Sequence, residues 1–515
     1  MNKIGILDYL LKVVIRGGDE MSQCAQFSWA ADRCDAPVRV CAAAIDLGAS
    51  SGRVMVGIYD ARDGLNVREV HRFANGLVDD RGKLVWDIES IVREVKVGLS
   101  RAAELGATTC GIDTWGVDYG LIDADGRLHG AVVGYRDART VDVADMIERE
   151  GLREDSYSRT GIPMLDINTL SQLVAQVRDE GPISGDLRLL MVPDLITHML
   201  TGSCATEPSI ASTTQLMDAA VKQWDPAMLE LAKIARSSMP VIEPLGSDAG
   251  VIADDIAVGM RMVRVCEHDT ASAVASVELL PGDVFVSCGT WSLVGVERDA
   301  PVLTKEAERA NLSNETGAGN STLLLANCTG LWIAQQLKPE LEQELGVDLS
   351  WEDIASAVAS RDGASFVFDT EEPSLAQPGN MLEKLRLLAR ESGYEGSLGV
   401  ADLFRAVYES LALRYLHVIE LIESVTGDPC ERIRLIGGGS QNAALCQLVA
   451  DVCGRTVVAG PHEASAIGNL LVQMTAQGAF ETLKEARVAV APSWCPTVYV
   501  PREERAQSGG RGVPC

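Results

Sequence analysis

The spacing of apolar and polar residues predicts a mixed α/β unit near the beginning of the chain. Apolar residues alternate with polar ones or form short runs bounded by Gly, Ser and Asp, a pattern typical of strands. The predicted strands are residues 38–47, 53–60, 66–73, 109–113 and 117–123. Between the third and fourth strands, apolar residues recur at helical spacing over about residues 87–105, which predicts a helix.

The same order of elements returns in the second half. Strands are predicted at residues 284–287 and 292–296, on either side of a Gly-Thr turn. A helix predicted over about residues 403–425 ends at Gly427 and leads into a strand at 432–436. The repetition indicates an ancient duplication that produced two related α/β halves with a cleft between them.

Length and composition fit this two-domain interpretation, because a chain of 515 residues that is 47% hydrophobic can build two separate cores. The predicted parts are an extension at residues 1–37, domains at 38–275 and 276–500, and a tail at 501–515. The extension shows no sustained hydrophobic periodicity and contains a second methionine, Met21. It is therefore interpreted as a disordered segment or as the result of an upstream start codon. The tail is polar and Gly-rich, and is predicted to be mobile. Further predictions are helices at 168–177 and 194–200 and a loop at 373–379.

The net charge of −28 argues against binding to a nucleic-acid backbone or an anionic membrane. The longest apolar run near the start, residues 9–15, is too short to span a bilayer, and its acidic flanks do not resemble a signal peptide. A cytoplasmic protein is therefore predicted. The 13 cysteines form no Cys-x-x-Cys pair and the six histidines no His-x-x-x-His, so neither a zinc site nor a disulfide framework is indicated.

A turn of small residues joins the first two predicted strands, in the sequence Asp46-Leu47-Gly48-Ala49-Ser50-Ser51-Gly52-Arg53. Such a turn can aim successive backbone N–H groups into one concavity, which suits a phosphate. At the strand end, Asp46 is positioned to hold Mg²⁺ directly or through water. A plain hairpin is the alternative, and a Walker A loop is excluded because no Gly-Lys-Ser/Thr follows.

Two later turns repeat this chemistry. Residues 287–292 again offer a hydroxyl and backbone donors between two strands. Residues 436–442 contain three consecutive glycines between a strand and a helix, where a flat ring or a ribose can approach the backbone closely. Each turn alone is compatible with an ordinary loop, whereas the first two facing each other could clamp a triphosphate.

In this order and separation, the three turns resemble the first phosphate, second phosphate and adenosine motifs of the FGGY carbohydrate kinases, a family of the actin-like ATPase superfamily. Similarity extends over roughly residues 40–500. Segments 112–119, 135–140, 268–273 and 460–465 are similar to members that phosphorylate L-rhamnulose. The resemblance implies two actin-like (ribonuclease-H-like) ATPase domains, with mixed β-sheets flanked by helices and separated by a cleft.

The resemblance also implies roles for single residues. Asp269 would be the base for phosphorylation of the 1-hydroxyl of L-rhamnulose, with ATP and Mg²⁺. The implied ATP contacts are Ala49, Ser50, Ser51, Gly52, Arg53, Thr290, Gln335 and Gly438. The implied sugar contacts are Gly116, His268, Asp269, Thr270 and Asn327. Residues 164–168 and Ser171 depart from the family by carrying fewer aromatic side chains, which leaves the detail of the sugar pocket open.

The residues themselves support a sugar pocket, since a polyhydroxylated ligand needs fixed donors and acceptors plus an apolar ring face. That mixture is supplied at predicted strand ends by Asp113, Trp115, Asp118, Tyr135, Arg136 and Asp137. Purely structural roles are the alternative interpretation of these residues. The aromatic residues could be core, Arg136 and Asp137 a solvated ion pair, His268 a structural histidine and Asp269 a helix N-cap.

Three functional alternatives follow. A different FGGY kinase would act on another ketose or polyol, such as xylulose, fuculose or glycerol, and would differ only in the pocket. An actin-like ATPase that switches protein partners would share both phosphate turns, but its ATP turnover would not depend on sugar. A sugar sensor without catalysis is disfavoured by the intact phosphate motifs. The predicted partners are ATP and L-rhamnulose, and the predicted state is a monomer or a weak homo-oligomer.

Overall fold

The computed structural model describes residues 39–149, 151, 153–361, 366–396 and 398–502, with only the backbone of residues 153 and 154. The predicted extension at residues 1–37 and nearly all of the predicted tail lie outside these ranges, so both interpretations stay predictions. Within the described ranges, no helix is both long and apolar enough to cross a membrane.

A six-stranded mixed sheet in the order β13-β14-β6-β1-β2-β3 forms the centre of the first half. The strands before residue 276 are β1 (Arg39–Leu47), β2 (Ser51–Asp60), β3 (Gly64–Ala74), β4 (Leu77–Asp80), β5 (Lys83–Trp86), β6 (Thr109–Thr114), β7 (Tyr119–Ile122), β8 (Leu128–His129), β9 (Val132–Val133), β10 (Arg188–Met191), β11 (Ala205–Thr206), β12 (Val241–Ile242), β13 (Asp248–Val251) and β14 (Arg261–Val263). Strand β1 runs antiparallel to β2 and parallel to β6. Smaller sheets, β10-β7-β8, β4-β5-β9 and β11-β12, lie outside this centre.

A seven-stranded sheet in the order β17-β18-β16-β15-β19-β20-β21 forms the centre of the second half. Its strands are β15 (Asp283–Cys288), β16 (Trp291–Arg298), β17 (Ser313–Thr316), β18 (Thr322–Thr329), β19 (Arg432–Ile436), β20 (Thr456–Ala459) and β21 (Thr497–Tyr499). The order β18-β16-β15-β19-β20 repeats β3-β2-β1-β6-β14, with two antiparallel pairings followed by two parallel ones in each case. This equivalence agrees with the predicted duplication.

Helices surround both sheets. In the first half they are α1 (Ile88–Glu104), α2 (Val143–Arg149), α3 (Arg153–Thr160), α4 (Thr169–Glu180), α5 (Val192–Thr201), α6 (Pro208–Ser212), α7 (Pro226–Leu231) and α8 (Asp269–Ala275). In the second half they are α9 (Lys305–Arg309), α10 (Trp332–Leu345), α11 (Trp351–Ala359), α12 (Pro373–Ala376), α13 (Met381–Glu391), α14 (Val400–Thr426), α15 (Ala443–Cys453), α16 (Ala464–Ala476) and α17 (Leu483–Val490). Short 3₁₀ turns occupy Ala138–Thr140, Arg236–Ser238, Ala318–Asn320, Gly438–Gln441 and Ala491–Ser493.

Helix α1 shows how local sequence sets these elements. The Asp87 side chain caps it by accepting a hydrogen bond from the Ser90 N–H. Its apolar residues at helical spacing, such as Ile91, Val95 and Leu99, are buried against β1, β2 and β3. Each such side chain stabilises the fold by about 1.5–3 kcal/mol relative to an exposed one, so the stripe far outweighs the capping bond, which is worth about 1 kcal/mol.

One helix of each half packs against the sheet of the other half. Helix α16, from the second half, packs through Ile467 and Leu470 on the face of the first sheet opposite α1. Helix α8, from the first half, contributes Ala273 and Val274 to a cluster with Phe285 of the second sheet. Buried apolar side chains of these two helices therefore connect the halves beneath the cleft.

Helices α8 and α16 cross with their backbones in contact. A Cβ atom built on Gly468 would lie 1.7 Å from the carbonyl oxygen of Ser272, so only glycine permits this approach. At the same crossing, the Ser272 hydroxyl donates to the Ser465 carbonyl at 2.9 Å. The position of α8 is thus fixed at one point by α16.

The predicted strands and helices are present with small changes of bounds, whereas many of the observed elements were not predicted. The hairpin of β4 and β5 is absent from the sequence prediction, because its strands have four residues each and β4 is largely exposed. The segment predicted as a loop at 373–379 contains the short helix α12, where Pro373 occupies the first turn and the Glu372 side chain accepts from the Ser374 N–H. The strand predicted at 432–436 has the observed bounds.

Candidate active site

One cavity of about 750 Å³ lies where the central parallel strands of both halves end. Loops that leave neighbouring parallel strands start at the same edge of a sheet, so the predicted turns come together there. Among the residues with a predicted catalytic, ATP, sugar or metal contact, all but one line the cavity, namely Asp46, Ala49, Ser50, Ser51, Arg53, Gly116, His268, Asp269, Thr270, Thr290, Asn327, Gln335 and Gly438. The exception is Gly52, where a Cβ atom would lie 2.3 Å from the Phe73 ring. Of the six residues expected to form the sugar pocket, Trp115, Tyr135 and Arg136 line it, whereas Asp113, Asp118 and Asp137 lie behind its surface.

The first turn, residues 48–51, presents free backbone donors. The Gly48 N–H donates to the Ser51 carbonyl at 2.9 Å, and the Asn75 side-chain amide donates to the Gly48 carbonyl at 2.8 Å. Within the described chain, the N–H groups of Ala49 and Ser50 have no backbone acceptor. Two neighbouring unpaired N–H groups at the edge of a cavity form a concavity for an anion.

The second turn is fixed by the start of α10. The N–H groups of Leu331 and Trp332 donate to the carbonyls of Gly289 and Thr290 at 2.8 and 3.2 Å. The Thr290 N–H has no backbone acceptor among the described residues, and the Thr290 hydroxyl donates to Gln335 Oε1 at 3.3 Å. The predicted contacts Thr290 and Gln335 are therefore neighbours, although 45 positions separate them in sequence.

The third turn follows β19, which pairs in parallel with β15. Cβ atoms on Gly437 and Gly439 would lie 3.1 and 2.3 Å from atoms of Cys288, at the end of β15. Gly438, between them, has open space on its cavity side. The two outer glycines thus allow close contact with β15, and the middle one leaves room for a flat ligand.

Arg53 connects the first turn to the second half. Its Nε and Nη2 donate to Oδ2 of Asp46 at 2.9 and 2.7 Å, and its Nη1 pairs with Glu463 beside α16. Burial disfavours the guanidinium charge, but the carboxylates of Asp46 and Glu463 outweigh burial and raise the pKa of Arg53. The Arg53 guanidinium is therefore held beside the first turn by protein groups alone.

Asp46 fits the predicted role in holding Mg²⁺. The described residues contain no cluster of three or more His, Cys, Asp or Glu arranged as metal ligands. Mg²⁺ does not require such a cluster, since it usually keeps several waters and binds one or two carboxylates together with substrate phosphates. Both bonds from Arg53 go to Oδ2 of Asp46, so Oδ1 is not engaged by Arg53.

Asp113 is buried below Asp46, its register partner on β1. Its Oδ2 accepts from the Asn469 side-chain amide at 2.7 Å, while its Oδ1 has no hydrogen-bond partner in the described chain. Burial and the charge of Asp46 raise the pKa of Asp113 well above its ordinary value. The negative charge of Asp113 is therefore disfavoured at this position next to Asp46.

Asp269 is the first residue of α8, and His268 occupies the N-cap position, so the interpretation of Asp269 as an N-cap is wrong. The backbone of His268 forms a parallel bridge with Thr114 at the end of β6, which extends the chain there. Burial raises the pKa of Asp269, and the neighbouring His268 opposes the rise. A carboxylate with a raised pKa in a cleft is a candidate general base.

Two aromatic side chains, Trp86 and Trp115, line part of the cavity. The indole rings of Trp86 and Trp115 lie 4.1 Å apart between centroids. Both indole N–H groups donate to Oδ2 of Asp118, at 2.7 and 3.0 Å, and Gln172 donates to its Oδ1 at 3.0 Å. Burial raises the pKa of Asp118 to about 6, and these hydrogen bonds limit the rise. The result is a fixed apolar face against which a sugar ring can pack.

The interpretation of Arg136 and Asp137 as a solvated ion pair is wrong. The Arg136 guanidinium lies 5.4–6.0 Å from the ring centroids of Tyr135, Trp291 and Trp332. Asp137 is buried and accepts from the backbone N–H groups of Leu84 and Arg139 at 2.8 and 2.9 Å. Arg136 therefore adds a cation to the cavity that contacts aromatic rings of both halves.

Buried charges lie directly behind His268 and Asp269. Glu207 accepts hydrogen bonds from the Ser209 N–H and hydroxyl and from the Glu267 N–H. Arg264, whose side chain is fully buried, pairs with Glu267 at 2.9 Å. Burial and the charge of Glu267 raise the pKa of Glu207 to about 8.

This pKa predicts that Glu207 makes stability depend on pH. The folded protein binds a proton at Glu207 that the unfolded chain releases near its ordinary pKa of 4.5. The stabilising effect is complete below that value and is lost as pH rises through about 8. We expect Glu207→Gln, which mimics the protonated acid, to flatten the decline of the thermal midpoint between these pH values. An exposed control, Glu481→Gln, should keep the wild-type slope, and an unchanged slope in Glu207→Gln contradicts the assignment.

The sequence analysis missed the cavity residues Arg72, Trp86, Thr213, Glu315 and Trp332, and it gave no role to Trp291 and Ser465, which lie in the predicted segments 287–292 and 460–465. Trp291 and Trp332 adjoin predicted contacts and could have been inferred from that. Glu315 belongs to the edge strand β17, which has no turn motif, so only tertiary contacts bring it to the cavity.

Models of one family match both halves. Residues 41–275 match the N-terminal domain of the FGGY family of carbohydrate kinases, and residues 284–477 match its C-terminal domain. The rhamnulokinase of Bacillus subtilis (strain 168) is 35% identical over 470 residues, which cover 89% of this chain and 95% of that protein. The rhamnulokinase of Pectobacterium carotovorum subsp. carotovorum (strain PC1) is 37% identical over 475 residues, covering 90% and 94%.

Solved structures agree with this similarity in fold. A ligand-bound xylulose kinase from Lactobacillus acidophilus superposes with a TM-score of 0.74 at 14% identity, over 92% of this chain and 95% of that one. The predicted fold class, two α/β domains of the actin-like type, is thereby confirmed. The predicted domain boundaries and residue roles are not tested by these similarities and stay predictions.

Proposed function

The chain belongs to the FGGY family of carbohydrate kinases, and from this we propose that it transfers the γ-phosphate of ATP to the 1-hydroxyl of L-rhamnulose. The products are L-rhamnulose 1-phosphate and ADP. The choice of sugar is supported by the two relatives named rhamnulokinase, which align over about nine tenths of the chain. The observation that carries the proposal is a single cavity that combines two turns with free N–H donors, an aromatic sugar face and Asp269.

ATP binds along the three turns in this proposal. The N–H groups of Ala49, Ser50 and Thr290 bind the phosphates, assisted by Arg53. Gly438 lies against the adenosine, where open space adjoins the backbone. Asp46 holds Mg²⁺ directly or through water, and the ion supplies neutralisation of phosphate charge.

The sugar packs against Trp115 with its 1-hydroxyl toward Asp269. Gly116, His268, Thr270 and Asn327 contact the remaining hydroxyls. In the reaction, the 1-oxygen forms a bond to the γ-phosphorus, the bond from that phosphorus to the β,γ-bridging oxygen breaks, and Asp269 accepts the hydroxyl proton. Phosphoryl transfer has a loose transition state, so alignment and charge stabilisation supply most of the rate enhancement, and a modest base suffices.

ADP release with Mg²⁺ across L-rhamnulose, L-fuculose, D-xylulose and glycerol tests the proposal. We expect the largest kcat/KM for L-rhamnulose, by about tenfold or more over each alternative, because the pocket contacts several hydroxyls at once. Phosphorus NMR of the product should show a 1-phosphate. Preference for another compound overturns the substrate assignment, and ATP turnover without any sugar indicates a partner-switching ATPase instead.

A further inference from the structure

Glu315, in strand β17 of the second half, reaches across to His268 in the first. Its Oε2 lies 3.1 Å from Nδ1 of His268, and the two side chains are 8% and 10% exposed. Neither atom has a hydrogen-bond partner elsewhere among the described residues. The two groups are therefore partners by ion pairing, although their geometry departs from that of an aligned hydrogen bond.

The opposite edge of the His268 ring faces Asp269. The distance from Nε2 of His268 to Oδ1 of Asp269 is 3.4 Å. The Thr270 hydroxyl donates to the same oxygen at 3.2 Å. Both contacts engage Oδ1 of Asp269, and neither engages Oδ2.

The backbone on both sides of Glu315 is anchored to the first half. The Asn314 N–H donates to the Gly161 carbonyl at 2.9 Å, and the Thr316 N–H donates to the Ser212 hydroxyl at 3.0 Å. On the other side of the contact, the His268 N–H donates to the Ser209 hydroxyl at 3.1 Å. Three bonds thus hold Glu315 and His268 against each other.

We propose that Glu315 is a positioning residue, which orients the His268 ring so that its Nε2–H faces Oδ1 of Asp269 and Oδ2 is left to accept the proton of the sugar hydroxyl. This inference rests on the proposed function. The chain Glu315–His268–Asp269 begins in one half and ends at the base in the other. A charged neighbour that fixes a histidine ring commonly determines which nitrogen donates.

The charges around His268 are consistent with this arrangement. Burial lowers the pKa of His268, but the carboxylates of Glu315 on β17, Asp269 on α8 and Glu207 before α6 outweigh burial, and the pKa is raised overall. The ring is therefore biased toward the form that carries a proton on both nitrogens, as the two flanking carboxylates require.

The kinetic test compares Glu315→Gln, His268→Asn and the double variant with the wild type. Glu315→Gln keeps the volume of the side chain and should lower kcat about 10- to 100-fold with little change in KM for ATP. Because Glu315 acts through His268, adding Glu315→Gln to His268→Asn should lower kcat by less than about twofold further. Glu297→Gln is the matched control, since Glu297 is a part-buried carboxylate of the same half outside the cavity.

A second measurement does not need turnover. Proton NMR of the histidine ring, assigned with His268→Asn, should show a lower pKa for His268 in Glu315→Gln than in the wild type. An unchanged pKa, a wild-type kcat in Glu315→Gln, or single effects that multiply in the double variant each overturn the inference. Absence of sugar-dependent turnover in the wild type overturns the proposed function instead, while the NMR result still decides whether Glu315 governs His268.

Discussion

Replacing Asp269 by Asn is expected to lower kcat by about 10²- to 10⁴-fold, the usual contribution of a positioned general base. The amide retains an oxygen for the contacts of Thr270 and His268 but cannot accept the hydroxyl proton. The KM for ATP should stay near the wild-type value, because the phosphate turns contain no atom of Asp269. Steady-state ADP release and thermal melting of the same preparation check this result.

The thermal stability of Asp269→Asn distinguishes a catalytic role of Asp269 from a structural one. Burial raises the pKa of Asp269, so its charge is disfavoured in the fold and the neutral amide should melt no lower than the wild type at neutral pH. Asp137→Asn is the matched control, since Asp137 is buried outside the cavity and accepts two backbone N–H groups. The control should lose stability and keep kcat. A well-folded Asp269→Asn enzyme with more than about a tenth of wild-type kcat contradicts the base assignment.

Gly468→Ala is expected to be strongly destabilising although it adds one methyl group. The added Cβ would lie 1.7 Å from the Ser272 carbonyl oxygen, which is backbone and cannot rotate away. Helices α8 and α16 must therefore separate, at a cost of about 3 kcal/mol or more in the free energy of unfolding. Since α8 begins with Asp269, kcat should fall as well.

Urea unfolding followed by circular dichroism measures the first effect, and ADP release measures the second. Gly185→Ala makes the same chemical change where nothing lies within 4 Å of the new atom, so it should leave both quantities unchanged. A Gly468→Ala protein with the wild-type urea midpoint shows that the crossing has more room than the structure indicates.

Local signals predicted the turns of this site well. Gly and Ser between apolar runs marked residues 48–51 and 287–292, because strands that end at a tight turn need small residues there. The prediction that Thr290 and Gln335 share a site rested on family resemblance alone. Their contact depends on α10 docking on the turn, which no local pattern encodes.

Tertiary contacts explain the remaining differences. Asp269 resembled an N-cap because it precedes a helical run, but the bridge between His268 and Thr114 extends the backbone through His268 and starts the helix one residue earlier. No sequence pattern pointed to Glu315, because its partner His268 lies 47 positions away and β17 is an edge strand of four residues. Edge strands carry little periodicity, so their inward side chains are found only from the fold.

The crossing of α8 and α16 joins the two halves close to Asp269. Ser272 lies three residues along the helix from Asp269, which corresponds to about 4.5 Å at the helical rise. Backbone atoms touch at this crossing, so α8 cannot shift along α16 without a steric clash, and Asp269 keeps its place in the cavity. For the proposed reaction this means that the proton acceptor is preorganised by helix packing, and substrate binding need not supply the energy that places it.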